Sequence, residues 1–182
     1  IGGIETLFGN SANVIKKAAQ TAFKDAGVSA NTYMEQTTSF AASLVSSCGG
    51  NTAKAAEIAK RAMVDMSDNA NKMGTDLQDI QNAYQGFAKQ NYTMLDNLKL
   101  GYGGTKTEMA RLIKDASTYK DSQEKLNVSV KDGDMSFSNI ANAISVVQDH
   151  MKISGTTAEE ASTTLTGSFG MVKASVQDFL GA

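Results

Sequence analysis

Apolar side chains recur at helical spacing along almost the whole chain. Ala56, Ala59, Met63, Met66, Ala70 and Met73 step by three and four residues. Leu77, Ile80, Tyr84 and Phe87 do the same, and the pattern runs on through Asn91, Met94 and Leu98. Met109, Leu112, Ala116 and Tyr119 form another stripe, as do Phe137, Ile140, Ile144, Val147 and Met151. A last one runs Ala158, Ala161, Leu165, Phe169, Val172, Val176 and Phe179, and an early one Met34, Ala41 and Cys48 with Leu44 and Val45 between. Steps of three and four place side chains on one face of a 3.6-residue helix. No stretch sustains the alternation of two that marks a half-buried strand.

Glycines punctuate these runs at Gly27, Gly49-Gly50, Gly74, Gly101 to Gly104 and Gly155. Glycine suits the left-handed residue that closes a helix. A threonine follows directly at Thr75, Thr105 and Thr156, with Gln78, Glu108 and Glu159 three residues on. That spacing is a capping box, in which the Thr hydroxyl takes one amide proton and the Glu or Gln reaches back to another. The pattern predicts helices near 11–26, 31–48, 52–73, 76–98, 106–120, 137–152 and 157–180. The expected fold is all-α, a bundle of about six to seven short helices joined by Gly-Thr turns. Leu126 to Lys131 alternates weakly ahead of the turn signal Asp132-Gly133-Asp134, which predicts a short extended segment or a connecting loop. The Ala/Met stripe of 56–73 has two readings: the small side of a bundle core, or a face that packs on partner helices.

Composition sharpens the picture. The 182 residues correspond to roughly one domain. There is no proline, and alanine and methionine are frequent, which favours helix. Net charge is −2, from 17 basic and 19 acidic residues, so the chain lacks the basic footprint of a nucleic-acid binder. A single cysteine, Cys48, excludes an internal disulfide, and a single histidine, His150, excludes a His-rich metal centre. The chain starts at Ile1 and is expected to be a processed product or a fragment of something longer. No basic segment followed by an apolar stretch marks a signal peptide. The longest uncharged run, Gln36 to Ala53, is too rich in Ser, Thr and Gly to span a membrane, so soluble material is expected.

Candidate chemistry is sparse. Cys48 and His150 could form a nucleophile–base pair only if the fold joined them, and Cys48 reads as a buried structural thiol at a helix end. His150 sits near a helix C-terminus, where a cation is favourable. Asp132-Gly133-Asp134 resembles part of a calcium loop, but the alternating oxygen ligands and the closing Glu are missing. Gly101, Gly103 and Gly104 lack the Gly-Lys-Ser/Thr of a phosphate loop and read as a helix stop. The adjacent basic pairs Lys16-Lys17 and Lys60-Arg61 read as solvated helix faces. None of the seven glutamates precedes a serine, the pairing common in helical cell-wall-cleaving domains. No catalytic, cofactor-binding or metal-binding residue is therefore assigned.

The stretch Ala62-Met63-Val64-Asp65-Met66-Ser67-Asp68-Asn69-Ala70-Asn71-Lys72-Met73-Gly74-Thr75, and the run Ile80 to Met109 after it, resemble phage tail tape measure proteins. Ile140 to Gln148 and Gly155 to Ala161 look like the same family. The likeness extends from Asn31 to the C-terminus, which divides the chain into a leading helical segment, 1–30, without assignment, and a tape measure helical domain, 31–182.

The resemblance implies a non-enzymatic structural component, encoded by a phage or prophage. It implies a protein that sets tail length and scaffolds tube assembly inside the tail lumen, after a stage in the host cytoplasm. The implied partners are the tail tube protein, tail assembly chaperones and tail tip or baseplate proteins. Self-association, and contact with the host membrane only on ejection, go with the same role. No cofactor is implied. The chain is shorter than a complete tape measure protein and lacks its long heptad region, so a fragment is expected. Two rival readings are a lytic, peptidoglycan-cleaving helical domain using an isolated Glu, and a secreted helical interaction protein.

Overall fold

The computed structural model describes residues 2–22 and 26–155. Its α-helices are α1 Gly2–Phe8, α2 Ala12–Gln20, α3 Ala30–Ser47, α4 Thr52–Met73, α5 Leu77–Ala88, α6 Lys106–Thr118, α7 Lys120–Leu126 and α8 Phe137–His150, with 3-10 turns at Gly9–Ser11 and Leu95–Leu98. No strand occurs among the described residues, and the fold is the expected all-α multi-helix bundle. The helix predicted over 157–180 and the Gly155-Thr156 cap lie outside the described residues.

Two helices form the centre. α4 packs on α3 along one side and on α8 along another, and α6 and α7 close over the far side of α8. α5 bridges α3 and α4, while α1 and α2 lie across the same pair. One apolar cluster runs through all of them, from Ile4, Phe8 and Ile15 to Ile144 and Ile153. α8 is buried at every position from Phe137 to Gln148. Ala141 and Ala143 let neighbouring backbones come close, and Phe137 meets Phe40 of α3 edge-on at 6.0 Å. Alanine does the same for α4, where Ala55, Ala56, Ala59 and Ala62 are all buried.

The stripes are placed largely as the spacing predicts. Ala56, Ala59, Met63 and Met66 are buried, Ala70 and Met73 half-buried. The α3 stripe is rotated: its core residues are Tyr33, Phe40, Ala41 and Leu44, leaving Met34 and Cys48 half-buried. Met151 is 40% exposed rather than a continuation of the α8 stripe.

The helix predicted over 76–98 stops at Ala88. Asn91 N–H bonds Gly86 O at 2.8 Å, Gln90 N–H bonds Phe87 O at 3.0 Å, and Gln90 turns left-handed at φ 62°. This paired closure is usually built on glycine. α7 ends the same way on Asn127 and α8 on Lys152. α7 itself is an addition to the sequence prediction. It is followed by a connecting loop, which hangs on two side-chain amides. Gln123 Oε1 accepts from Val130 N–H at 3.1 Å, and Asn139 Oδ1 from Lys131 N–H at 2.9 Å.

The Gly-Thr turns divide. Thr105 caps α6 as predicted, accepting from Glu108 N–H at 3.1 Å. Gly74 closes α4 in the left-handed region at φ 67°. Thr75, however, does not cap α5. Asp76 does, accepting from the Gln78 and Asp79 amides at 2.8 and 3.2 Å. The Asp carboxylate suits the positive end of the helix, which frees the Thr75 hydroxyl for another use.

Candidate functional site

α4 and α8 meet through polar side chains. Ser138, Asn142, Ser145 and Gln148 follow one another at four, three and three residues along α8. Arg61, Asp65 and Asn69 follow at four and four along α4. Helical spacing turns the two rows into facing stripes. Arg61 Nη2 donates to Asn142 Oδ1 at 3.0 Å, and the Ser145 hydroxyl donates to Asp65 Oδ2. Gln148 Nε2 reaches the Asp65 carbonyl at 3.0 Å. Asn69 Nδ2 donates to Gln148 Oε1 and to Leu98 O, both at 2.9 Å, and the freed Thr75 hydroxyl donates to Asn69 Oδ1 at 2.8 Å. One polar seam thus ties α4, α8 and the loops at Leu98 and Thr75 together.

The seam is dry. Asp65 is 4% exposed, and Asp68, Asn69 and Gln148 are fully buried. Burial pushes the Asp65 carboxyl from the ordinary 3.8 up to about 7, against the opposing pull of the Ser145 hydrogen bond and the Arg61 charge; Asp68 and Asp149 push the same way as burial. A buried carboxyl holds its proton because the charged form has lost its hydration. Tyr84 of α5 feels the same environment, and burial raises its hydroxyl well above the ordinary value. Asp68 accepts from Gly155 N–H at 2.8 Å, which fastens the chain beyond α8 back to α4.

The glycine loop before α6 is filled by the protein itself. Glu108 Oε1 accepts from Gly103 N–H at 3.0 Å, and the same carboxylate pairs with Arg111 at 2.7 Å. Arg111 also donates to Gly101 O at 2.9 Å and lies 4.2 Å over the Tyr102 ring. Tyr102 OH donates to Asp115 Oδ2 at 2.6 Å. An internal carboxylate therefore occupies the place a phosphate would take, and the loop is a turn ahead of α6 rather than the expected helix stop, because α5 has already ended at Ala88. Hydrogen bonds from Arg111 and then from Gly103 hold the Glu108 carboxyl down at about 2.

Cys48 and His150 are kept apart. Ser138 N–H donates to Ser47 Oγ at 3.1 Å, so Cys48 sits beside the N-terminus of α8. His150 ends that 14-residue helix, about 18 Å away at 1.5 Å per residue. Cys48 is half-buried rather than buried, and desolvation raises its thiol. The His150 ring stacks flat on Tyr119, with centroids 3.7 Å apart. Asp134 accepts from Ser136 N–H at 2.9 Å, and Asn139 Nδ2 donates to Lys131 O and Asp134 O, so the Asp132-Gly133-Asp134 stretch is a turn stapled to α8. No group of three or more His, Cys, Asp or Glu poised for a metal occurs among the described residues. Of the basic pairs, Lys17 is exposed, but Arg61 is half-buried in the seam, a correction to the solvated face expected for it.

The seam is invisible to apolar spacing, because the residues that form it are polar. The row Ser138, Asn142, Ser145 keeps helical spacing, but its polarity does not tell a buried row from a solvated one. No protein-family model matches the chain, and no curated protein or solved structure shows significant similarity to it.

Proposed function

We propose that the chain is a piece of a phage tail tape measure protein, encoded by a phage or an integrated prophage, and acts as a non-enzymatic helical assembly module. The observation that carries this reading is the sequence from Ala62 to Met109, which resembles that family over a long run. In this role the module helps to set tail length. Tail assembly chaperones coat it in the host cytoplasm, tube subunits stack around it, and tip or baseplate proteins meet it at the tail end. It leaves through the tube at ejection, when it meets the host membrane.

A module of this kind must be compact in solution and still able to open. Three features support that combination. The α4–α8 seam is polar, so separating the helices hands hydrogen bonds to water at a net cost of about 1 kcal/mol each. A single cysteine means that no internal disulfide holds the fold closed. The lack of proline lets successive helices line up, since glycine costs only about 1 kcal/mol per site within a helix.

The test is an in-frame deletion of codons 31–182 in the source gene, read by electron microscopy of the tails. A region threaded as helix shortens the tail by about 225 Å. A region held compact at one end of the ruler shortens it by only about 30 Å. Tails of unchanged length would refute a measuring role. A locus without tube and chaperone genes beside it would refute the family reading.

A further inference from the structure

Arg61 is a cation that the Asp65 and Glu57 carboxylates favour through space without forming an ion pair with it. It stands half-buried on α4, and none of the ion pairs among the described residues includes it. Nη2 donates to Asn142 Oδ1, while Nε is buried with no hydrogen-bond partner. Asp65, one turn along, aims Oδ2 at Ser145. Burial pulls the Arg61 guanidinium down from its ordinary value, and the Asp65 and Glu57 charges offset only part of that loss of water.

This arginine opens on a cleft of about 460 Å³ between α4, the Leu126–Ser129 connection and α8. That volume lies within the range of small-molecule sites. Asn142 lines the cleft too; with Oδ1 committed to Arg61, its Nδ2 remains a donor. With Nε buried and Nη2 on Asn142, Nη1 is left beside the Asn142 amide, and two such donors can hold one carboxylate. Ile58 and Val128 supply an apolar wall for a short aliphatic body. At the rim, Lys54 adds positive charge, and Glu57 stands against any group carrying more than one negative charge.

We propose that this cleft binds a small aliphatic carboxylate, its carboxylate paired with Arg61 and hydrogen-bonded by Asn142.

The test is a titration of the full chain with sodium butyrate, against sodium chloride at equal ionic strength, followed by 1H–15N NMR. Saturable shifts are expected at Arg61 Nε–H, Asn142 and 127–129, with half-saturation on the order of millimolar. Arg61→Gln should weaken binding by roughly tenfold or more. Asn142→Asp, which nearly keeps side-chain size and sets a carboxylate on Arg61, should do the same and decides the matter if Arg61→Gln does not fold. Shifts that stay linear to about 100 mM, or unchanged half-saturation in Asn142→Asp, would overturn the site. Sodium phosphate binding as tightly as butyrate would overturn the carboxylate assignment.

Discussion

The Asp65 carboxyl makes stability fall as pH rises. Its pKa is about 7 in the fold, against 3.8 ordinarily. Between those values the native state holds a proton that the unfolded chain has released. The unfolded state therefore binds fewer protons, and the free energy of unfolding drops by about 1.4 kcal/mol for each pH unit. Across the whole interval the loss is about 4 kcal/mol, a large part of the ordinary 5–15 kcal/mol of a domain. Asp65→Asn keeps the size of the acid, and its Oδ1 can still accept from Ser145. The variant imitates the protonated acid at every pH. Urea unfolding followed by circular dichroism should find the two chains within about 1 kcal/mol of each other near pH 4, and the variant more stable by about 4 kcal/mol near pH 8. Comparing the two chains removes every titrating group not coupled to Asp65, including Glu108, whose carboxyl, lowered from 4.5 to about 2, acts with the opposite sign and mostly at lower pH. A variant that keeps the wild-type slope, or a wild-type stability that rises between about pH 5 and 7.5, would refute the reasoning.

Three further outcomes follow from the packing, each read by urea unfolding. Gly104→Ala would drive a methyl into the Thr93 carbonyl, a backbone atom that cannot swing away, and should cost about 3 kcal/mol. Gln90→Gly relieves a left-handed residue at φ 62° in the closure of α5 and should stabilise by about 1 kcal/mol, where a glycine placed within the helix would destabilise. Phe40→Ala and Phe137→Ala should each cost about 4 kcal/mol, and a double-mutant cycle should return about 1 kcal/mol of coupling for the edge-on pair.

Much of the fold was legible in local pattern. A stripe of apolar residues at steps of three and four can be buried only as a helix, so α4, α6 and α8 stand within a few residues of their predicted places. Gly74 and Thr105 were equally plain, because a left-handed closure and a hydroxyl cap depend on the residues beside them. Tertiary structure decided what depends on distant partners. The closure of α5 on Gln90 rather than a glycine belongs to this group. So does the rotation of α3, which turned Tyr33 and Phe40 inward and left Cys48 at the edge. The polar seam is the clearest case. Asp65, Asn69, Ser145 and Gln148 read in sequence as ordinary polar positions on helices, and nothing local distinguishes them from a solvated face. They are buried because α4 and α8 lie at the centre and have neighbours on every side. They can stay there because each stripe supplies hydrogen-bond partners for the other.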